Sequence, residues 1–204
     1  MTTKGGTMTI CTTLNEILAH NRCGQDPADA CGWWLLLNHL GKTEADDEPL
    51  PLAVILESNG LDDCLWALCC LGPEHEGWIH KFARECASDV LHLWDAPQVV
   101  KDYLATGDES LREAARAAAR ADAGEAASAA AWAATSAAAW AASSDAAWDA
   151  ASSAAWTASS AAAWDAARAA SSGAAWDAVW AAARAAAKGK QAERIRRYLV
   201  GARP

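Results

Sequence analysis

Cysteine and histidine are the side chains of this sequence best suited to hold a metal, so their spacing is the first test of that chemistry. His75 and His80 are five residues apart, with Glu76 after the first, whereas a zinc-protease helix needs two imidazoles four residues apart on one face. Cys69 and Cys70 are adjacent, so their side chains would point about 100° apart on an α-helix. No two cysteines are separated by just two residues. We therefore expect core thiols and surface histidines, and no metal.

Motifs for nucleophilic or phosphate-transfer catalysis are also missing from the sequence. It contains neither the G-x-S-x-G turn of hydrolases nor the G-x-x-x-x-G-K loop that cradles phosphates. All five histidines precede Lys101, whereas most serines lie in an alanine-rich tract beyond it. The sequence therefore predicts no catalytic residues and no cofactor. An enzyme whose site is assembled from scattered residues remains an alternative, and it would need a deep pocket with convergent polar groups.

A run of carboxylates is the most suggestive polar feature. Seven lie within 20 residues, and we predict that they bind a partner: Glu44, Asp46, Asp47, Glu48, Glu57, Asp62 and Asp63. Such a negative face can imitate a nucleic-acid backbone and occupy the basic groove of a nuclease or DNA-binding complex. The alternative is a solvated loop followed by two aspartates that stabilise the start of a helix.

Charge is distributed unevenly along the chain. Residues 1–110 carry a net charge of −12 and residues 111–204 a net charge of +3. Nucleic acid is therefore not expected as a direct partner of the first half, because phosphates would be repelled, whereas a basic protein surface fits. The start lacks a signal-peptide pattern and no stretch is apolar enough for a bilayer, so we expect a cytoplasmic protein without membrane contact.

The elements that would position these residues are helices, and the sequence predicts an all-α fold. Residues 1–9 are expected to be a disordered leader, 10–107 an acidic domain of short packed helices, and 108–204 an alanine- and tryptophan-rich helical region with a basic last helix. In the first domain a helix is capped by Thr13, with Glu16 completing the capping box. The further predicted helices span 26–40, 51–58, 61–71, 74–94 and 97–104.

The alanine-rich region contains an internal repeat. Between Ala114 and Ala187, 42 of 74 residues are alanine, and seven tryptophans follow a four-residue lattice: Trp132, Trp140, Trp148, Trp156, Trp164, Trp176 and Trp180. Because an α-helix repeats every 3.6 residues, an eight-residue step turns a tryptophan by about 80° around the axis. We therefore expect the tract to be cut, at 122–124, 143–145 and 171–173, into shorter helices that use most tryptophans as core. Exposed tryptophans would instead form a binding or self-association patch.

Several stretches together resemble a known family: Leu40–Leu52, Ile55–Trp66, Glu85–Ala87, Val90–Trp94, the alanine tract and Gln191–Arg194. The chain resembles the alanine-rich immunity-protein family of bacteria, phages and prophages over nearly its whole length, and the part from Leu40 to Trp66 is the most specific. The family implies inhibition of a toxin by direct binding. Its carriage on mobile elements implies a second role, a small anti-defence protein of the anti-CRISPR kind that blocks a CRISPR effector subunit. It offers no catalytic residues.

The residues and the family resemblance together indicate three candidate functions. The first is a non-enzymatic inhibitor that occludes a nucleic-acid-handling protein through its acidic surface. The second is an immunity protein that neutralises a toxin. The third is a structural, self-associating helical scaffold.

Overall fold

A computed structural model describes residues 9–20, 32–125, 128–143, 146–168 and 173–200. Ten α-helices and one pair of two-residue strands form the regular structure of these residues, together with short 3₁₀ turns, which confirms the all-α prediction. The helices are α1 (Leu14–Ala19), α2 (Gly32–Leu40), α3 (Leu52–Asn59), α4 (Leu61–Ala67), α5 (Glu76–Ser88), α6 (Gln98–Thr106), α7 (Arg112–Glu125), α8 (Ala129–Ala141), α9 (Ala147–Ala167) and α10 (Gly173–Leu199).

Contacts divide the chain into two compact units. The first unit comprises residues 1–74 and 192–204, and the second comprises residues 75–191. The predicted domains 10–107 and 108–204 do not coincide with these units, because helices α5 and α6 contact the alanine-rich helices of the second unit. The predicted domain boundaries therefore stay a prediction. The predicted leader, apart from Thr9, and the predicted helix start at Asp26 and Pro27 lie outside the described residues.

In the first unit, α1 begins at the predicted capping box. The Thr13 hydroxyl accepts a hydrogen bond from the Glu16 backbone N–H over 3.1 Å, and the Glu16 carboxylate accepts one from the Thr13 N–H over 3.0 Å. These bonds satisfy backbone donors that the start of a helix leaves without intrahelical partners. The helix then buries Leu14 and Ile17.

A short ladder links distant parts of the first unit. Strand β1 (Cys11–Thr12) pairs antiparallel with strand β2 (Leu50–Pro51). Beside them, Ile10 accepts a hydrogen bond from the backbone N–H of Leu52 over 3.0 Å and donates one to the carbonyl of Leu199 over 3.4 Å. The end of α10 therefore belongs to the core of this unit, where the largest fully buried aliphatic side chains are Leu14, Leu37, Leu52, Leu68, Ile195 and Leu199.

Two predicted helices are shorter than the sequence indicated. The predicted helix 61–71 is α4 followed by a 3₁₀ turn at Leu68–Cys70, and the predicted helix 74–94 is α5 between 3₁₀ turns at Pro73–His75 and Leu91–Leu93. A 3₁₀ turn also places residues i and i+3 on one side. Apolar spacing alone therefore could not separate the two kinds of helix.

Helices α8 and α9 form the centre of the second unit, with α5 against both and α7 against α8. The buried residues of these two helices are mostly alanine, with a few threonines and serines, and the following alanines are at most 2% exposed: Ala133, Ala137, Ala141, Ala150, Ala154, Ala158 and Ala161. Small side chains let helices approach closely, because interaxial distance depends on the side chains at the contact. The fully buried Tyr103 of α6 donates its hydroxyl proton to the carbonyl of Ala141 over 3.2 Å.

The alanine tract is cut into separate helices, as predicted, although the first break lies elsewhere. The predicted break at 122–124 is wrong, because α7 continues through Gly124. Helix α8 starts at Ala129, and the hydroxyl of its N-cap residue Ser128 accepts a hydrogen bond from the Ala131 N–H over 3.1 Å. One glycine costs a helix only about 1 kcal/mol relative to alanine, which the surrounding alanines tolerate. The other breaks fall between α8 and α9 and between α9 and α10, where residues 144–145 and 169–172 lie outside the described part of the chain.

Candidate functional site

The acidic loop, residues 42–48 of the first unit, is organised around Lys42. Its ammonium group lies 2.5 Å from the Asp46 carboxylate and 2.7 Å from that of Glu48. The hydrogen bonds to Asp46 and Glu48 raise the pKa of Lys42 above its ordinary value, and the bond from Lys42 lowers the pKa of Asp46. One lysine thus partly neutralises two of the seven predicted partner-binding carboxylates.

Neighbouring backbone holds the acidic loop in place at both ends. Helix α2 ends in a Schellman motif: Lys42 N–H donates to the carbonyl of Leu37 over 3.0 Å, and Gly41, whose φ is +65°, donates to Asn38 over 3.2 Å. Further on, Asn15 of α1 donates its backbone N–H to the carbonyl of Asp46 over 3.1 Å. The loop is therefore ordered by the elements on either side of it.

Side-chain bonds complete the loop. The Asn15 amide donates to the carboxylate of Asp47 over 2.8 Å, and the Glu48 backbone N–H donates to the carboxylate of Asp46 over 3.2 Å. Asp46 is half-buried and acts mainly within the loop, whereas Glu44, Asp47 and Glu48 are exposed. Three carboxylates are thus presented to solvent from an ordered segment.

The remaining three predicted residues lie on other elements of the first unit. Glu57 is exposed on α3, and Asp62 is exposed in the first turn of α4. Asp63 is half-buried, and its carboxylate accepts a hydrogen bond from the Asn59 amide over 2.9 Å. The structure therefore brings four of the seven carboxylates together in one loop. Asp63 lies outside that loop and is hydrogen-bonded to Asn59 of the same unit.

Asp63 and Asn59 lie at the wall of an apolar cleft in the first unit. The Asn59 amide also donates to the carbonyl of Gly32 over 2.6 Å, while its oxygen accepts from the Ser58 hydroxyl over 2.6 Å. The rest of the lining is mostly apolar and includes Trp33 and Trp66. A cleft volume of about 60 Å³ has room for only a few water molecules.

Basic residues from the end of the chain belong to the same unit. Residues 1–74 carry a net charge of −8, and residues 192–204 add +3. Burial raises the pKa of the Cys64 thiol to about 12, while nearby Arg196 opposes that rise and Asp63 adds to it. The negative potential is thus weaker around α4 than the sequence of the first half suggests.

A second surface feature lies in the second unit, where α9 and α10 form a tryptophan–arginine row. The guanidinium carbon of Arg184 lies 5.5 Å from the ring centroid of Trp156 and 5.1 Å from that of Trp180. Trp180 stacks on Trp176 with centroids 6.2 Å apart, and Trp176 contacts Trp164 at 5.2 Å. The row combines cation–π and aromatic contacts, and it uses two of the residue types enriched at interface hot spots.

The prediction that most lattice tryptophans form the core is wrong. All seven lie in described helices and none is fully buried; Trp132, Trp156 and Trp164 are 51%, 53% and 38% exposed. The physical reason is that the closely packed alanine faces leave no room for an indole between the helices. Arg184 was missed as a member of the row, although it continues the same four-residue lattice and could have been recognised from that.

In the described part of the chain, histidine and cysteine side chains, the residues tested first for metal binding, lie at separate positions except for one cluster. His75 accepts a hydrogen bond from the indole N–H of Trp78 over 3.2 Å, and His80 is half-buried in α5. The side chains of Cys69 and Cys70 were expected to diverge, whereas their sulfurs lie 3.9 Å apart. The hydrogen bond with Cys69 and burial together raise the pKa of the Cys70 thiol well above its ordinary value. His20 lies close to both thiols, so these three could hold a metal.

Comparison with protein-family models, curated proteins and solved structures finds no match. Among the described residues, no helix combines the length and the apolar character needed to cross a bilayer.

Proposed function

We propose that this chain is a non-enzymatic inhibitor that binds a basic, nucleic-acid-handling surface of another protein through its acidic loop. The observation that carries the proposal is the order of that loop. Hydrogen bonds from Asn15 and Lys42 fix residues 42–48 while Glu44, Asp47 and Glu48 stay exposed. A preorganised set of charges loses less conformational entropy on binding than a mobile loop does.

The contact residues within the seven candidates divide by role. Glu44, Asp47 and Glu48 form the centre of the proposed surface, and exposed Glu57 and Asp62 add negative potential elsewhere on the same unit. Asp46, paired with Lys42, and Asp63, bonded by Asn59, are half-buried, so both support the fold around the surface. Charges outside the centre of an interface, such as those of Glu57 and Asp62, mainly accelerate association and select the partner.

The partner class follows from charge and from the family resemblance. A cationic protein surface complements the loop, whereas direct contact with nucleic acid is disfavoured by phosphate repulsion. The resemblance to immunity proteins of phages and prophages points to a CRISPR effector subunit, with a bacterial toxin as the alternative target. Either target would be met in the cytoplasm.

Neutralising the loop tests this proposal. A partner would first be captured from a host that carries defence systems and identified by mass spectrometry, and its affinity for the purified chain measured. We expect the variant Glu44→Gln/Asp47→Asn/Glu48→Gln to bind about tenfold more weakly, because three exposed ion pairs each contribute modestly.

The matched control is Glu113→Gln/Asp122→Asn/Asp177→Asn, which removes the same charge from the second unit. This control should bind like the unmodified chain. Equal affinity of the loop variant and the control variant would exclude the acidic loop as the binding surface.

A second candidate function, self-association as a helical scaffold, is favoured by the exposed part of the tryptophan–arginine row. Two of its indoles, Trp156 and Trp164, are exposed on α9. If this surface is used, the mass measured by sedimentation equilibrium rises with protein concentration, and Trp156→Ser/Trp164→Ser abolishes the rise. Leu35→Ser is a matched control, since Leu35 is 52% exposed in the first unit. A constant monomer mass across concentrations would exclude this function.

A further inference from the structure

Three metal-ligating side chains converge in the first unit, apart from the acidic loop. One ring nitrogen of His20 and the sulfurs of Cys69 and Cys70 all lie within 4.8 Å of one another. The two sulfurs are 3.9 Å apart. Tetrahedral zinc with Zn–S bonds of about 2.3 Å places two sulfurs about 3.8 Å apart, so the thiols already have nearly the separation that the metal requires.

The two cysteines that would bind the same metal ion lie where helical structure ends. Cys69 and Cys70 end the 3₁₀ turn Leu68–Cys70, which follows α4 and is anchored by the buried Leu68. After the turn the chain becomes extended at Leu71, with φ −89° and ψ 148°. Both thiols are half-buried here, in contrast to Cys64, which is buried in the core.

His20 is held by the end of α1. It is the C-cap residue, and its backbone N–H donates to the carbonyl of Glu16, which also lies 2.9 Å from the ring Nδ1. In the tautomer with the proton on Nδ1, the ring donates to this carbonyl and the Nε2 lone pair can bind a metal. A backbone carbonyl that accepts from the second ring nitrogen is the usual support of a metal-binding histidine.

We propose that His20, Cys69 and Cys70 form a zinc-binding site. Binding of one Zn²⁺ releases the two thiol protons, and the two thiolates balance the charge of the cation, so the complex of zinc with both thiolates and a neutral imidazole has no net charge. Thiolate and imidazole ligands select zinc over magnesium or calcium, which prefer oxygen. His20 is exposed, so the fourth tetrahedral position is open to water. The site joins the end of α1 to the turn after α4.

Cobalt substitution of the full chain tests the proposal without any variant. The reduced, metal-free protein is titrated with Co²⁺, and we expect one equivalent to produce a thiolate-to-cobalt charge-transfer band together with the strong visible absorption of tetrahedral cobalt. One equivalent of Zn²⁺ should then remove both signals. Absence of the charge-transfer band at one equivalent of Co²⁺ would overturn the proposal.

Variants and alkylation then locate the site. Cys69→Ser, Cys70→Ser and His20→Gln should each weaken Zn²⁺ binding at least tenfold, whereas Cys11→Ser, which changes another half-buried thiol of the same unit, should not. In the unmodified chain, Zn²⁺ should protect Cys69 and Cys70 from alkylation, measured by peptide mass spectrometry, while Cys11 still reacts. Unchanged zinc affinity of folded Cys69→Ser and Cys70→Ser, or alkylation of both cysteines unaffected by zinc, would contradict the assignment.

Discussion

Lys42 shows how a single residue changes the meaning of a charge pattern. The sequence presents four carboxylates between Glu44 and Glu48 as one negative run, whereas the structure pairs two of them with this lysine. The pairing orders the loop, while Glu44, Asp47 and Glu48 stay exposed to solvent. The amide of Asn15 has a similar role toward Asp47, and no local pattern connects residues that are 32 positions apart.

Also at the residue scale, His80 makes stability depend on pH. Burial lowers its pKa below the ordinary 6.5, with Arg112 and Arg84 adding to the effect and Glu109 and Glu76 opposing it. The folded state therefore binds fewer protons than the unfolded state once the pH falls below 6.5, so stability is lost as the pH decreases.

We therefore expect the unmodified chain to lose more stability between about pH 7.5 and pH 5.5 than the variant His80→Gln, which cannot take up this proton. Chemical denaturation at both pH values measures the difference. Parallel losses in the two proteins would contradict the assigned pKa direction.

At the scale of the element, the sequence predicts what depends on local chemistry. The capping box at Thr13 and the stop at Gly41 are local, and both are found. The alanine tract is also divided as predicted, except that its first break does not fall at 122–124. Burial of the lattice tryptophans depends on how near two alanine faces come to each other. That distance is a property of paired helices, so the pattern on one helix could not predict it.

The buried alanine positions of α8 and α9 should not accommodate larger side chains without loss of stability. Ala154 of α9 is fully buried. We expect Ala154→Leu to reduce the free energy of unfolding by about 1–3 kcal/mol, because extra carbon atoms must push the helices apart.

The control is Ala185→Leu, at an exposed position of α10, which should change the free energy of unfolding by less than about 0.5 kcal/mol. Thermal and urea unfolding measure both values. Similar stabilities of the two variants would mean that α8 and α9 are not closely packed.

At the scale of the whole molecule, the charge halves of the sequence are not the compact units of the structure. The basic end of α10 belongs to the first unit, where Leu199 accepts a hydrogen bond from Ile10. Strands β1 and β2 have only two residues each, too few to show the alternating pattern of a strand. The sequence therefore could not predict that the segment around Ile10 pairs with β2 and with the end of α10. The candidate site was predicted as seven equivalent carboxylates. Its division into exposed and half-buried members depends on long-range contacts that the sequence does not show, such as the hydrogen bonds from Asn15 to Asp47 and from Asn59 to Gly32.

The central claim is that exposed carboxylates of an ordered loop bind a cationic protein. Affinity for the captured partner, measured as salt is raised from about 0.1 M to about 1 M, tests it most directly, since the screening length falls from about 10 Å to about 3 Å. We expect affinity to decrease at least tenfold, and to decrease less in the variant Glu44→Gln/Asp47→Asn/Glu48→Gln. Affinity that stays constant or rises with salt would show that apolar contact holds the complex and would contradict the account.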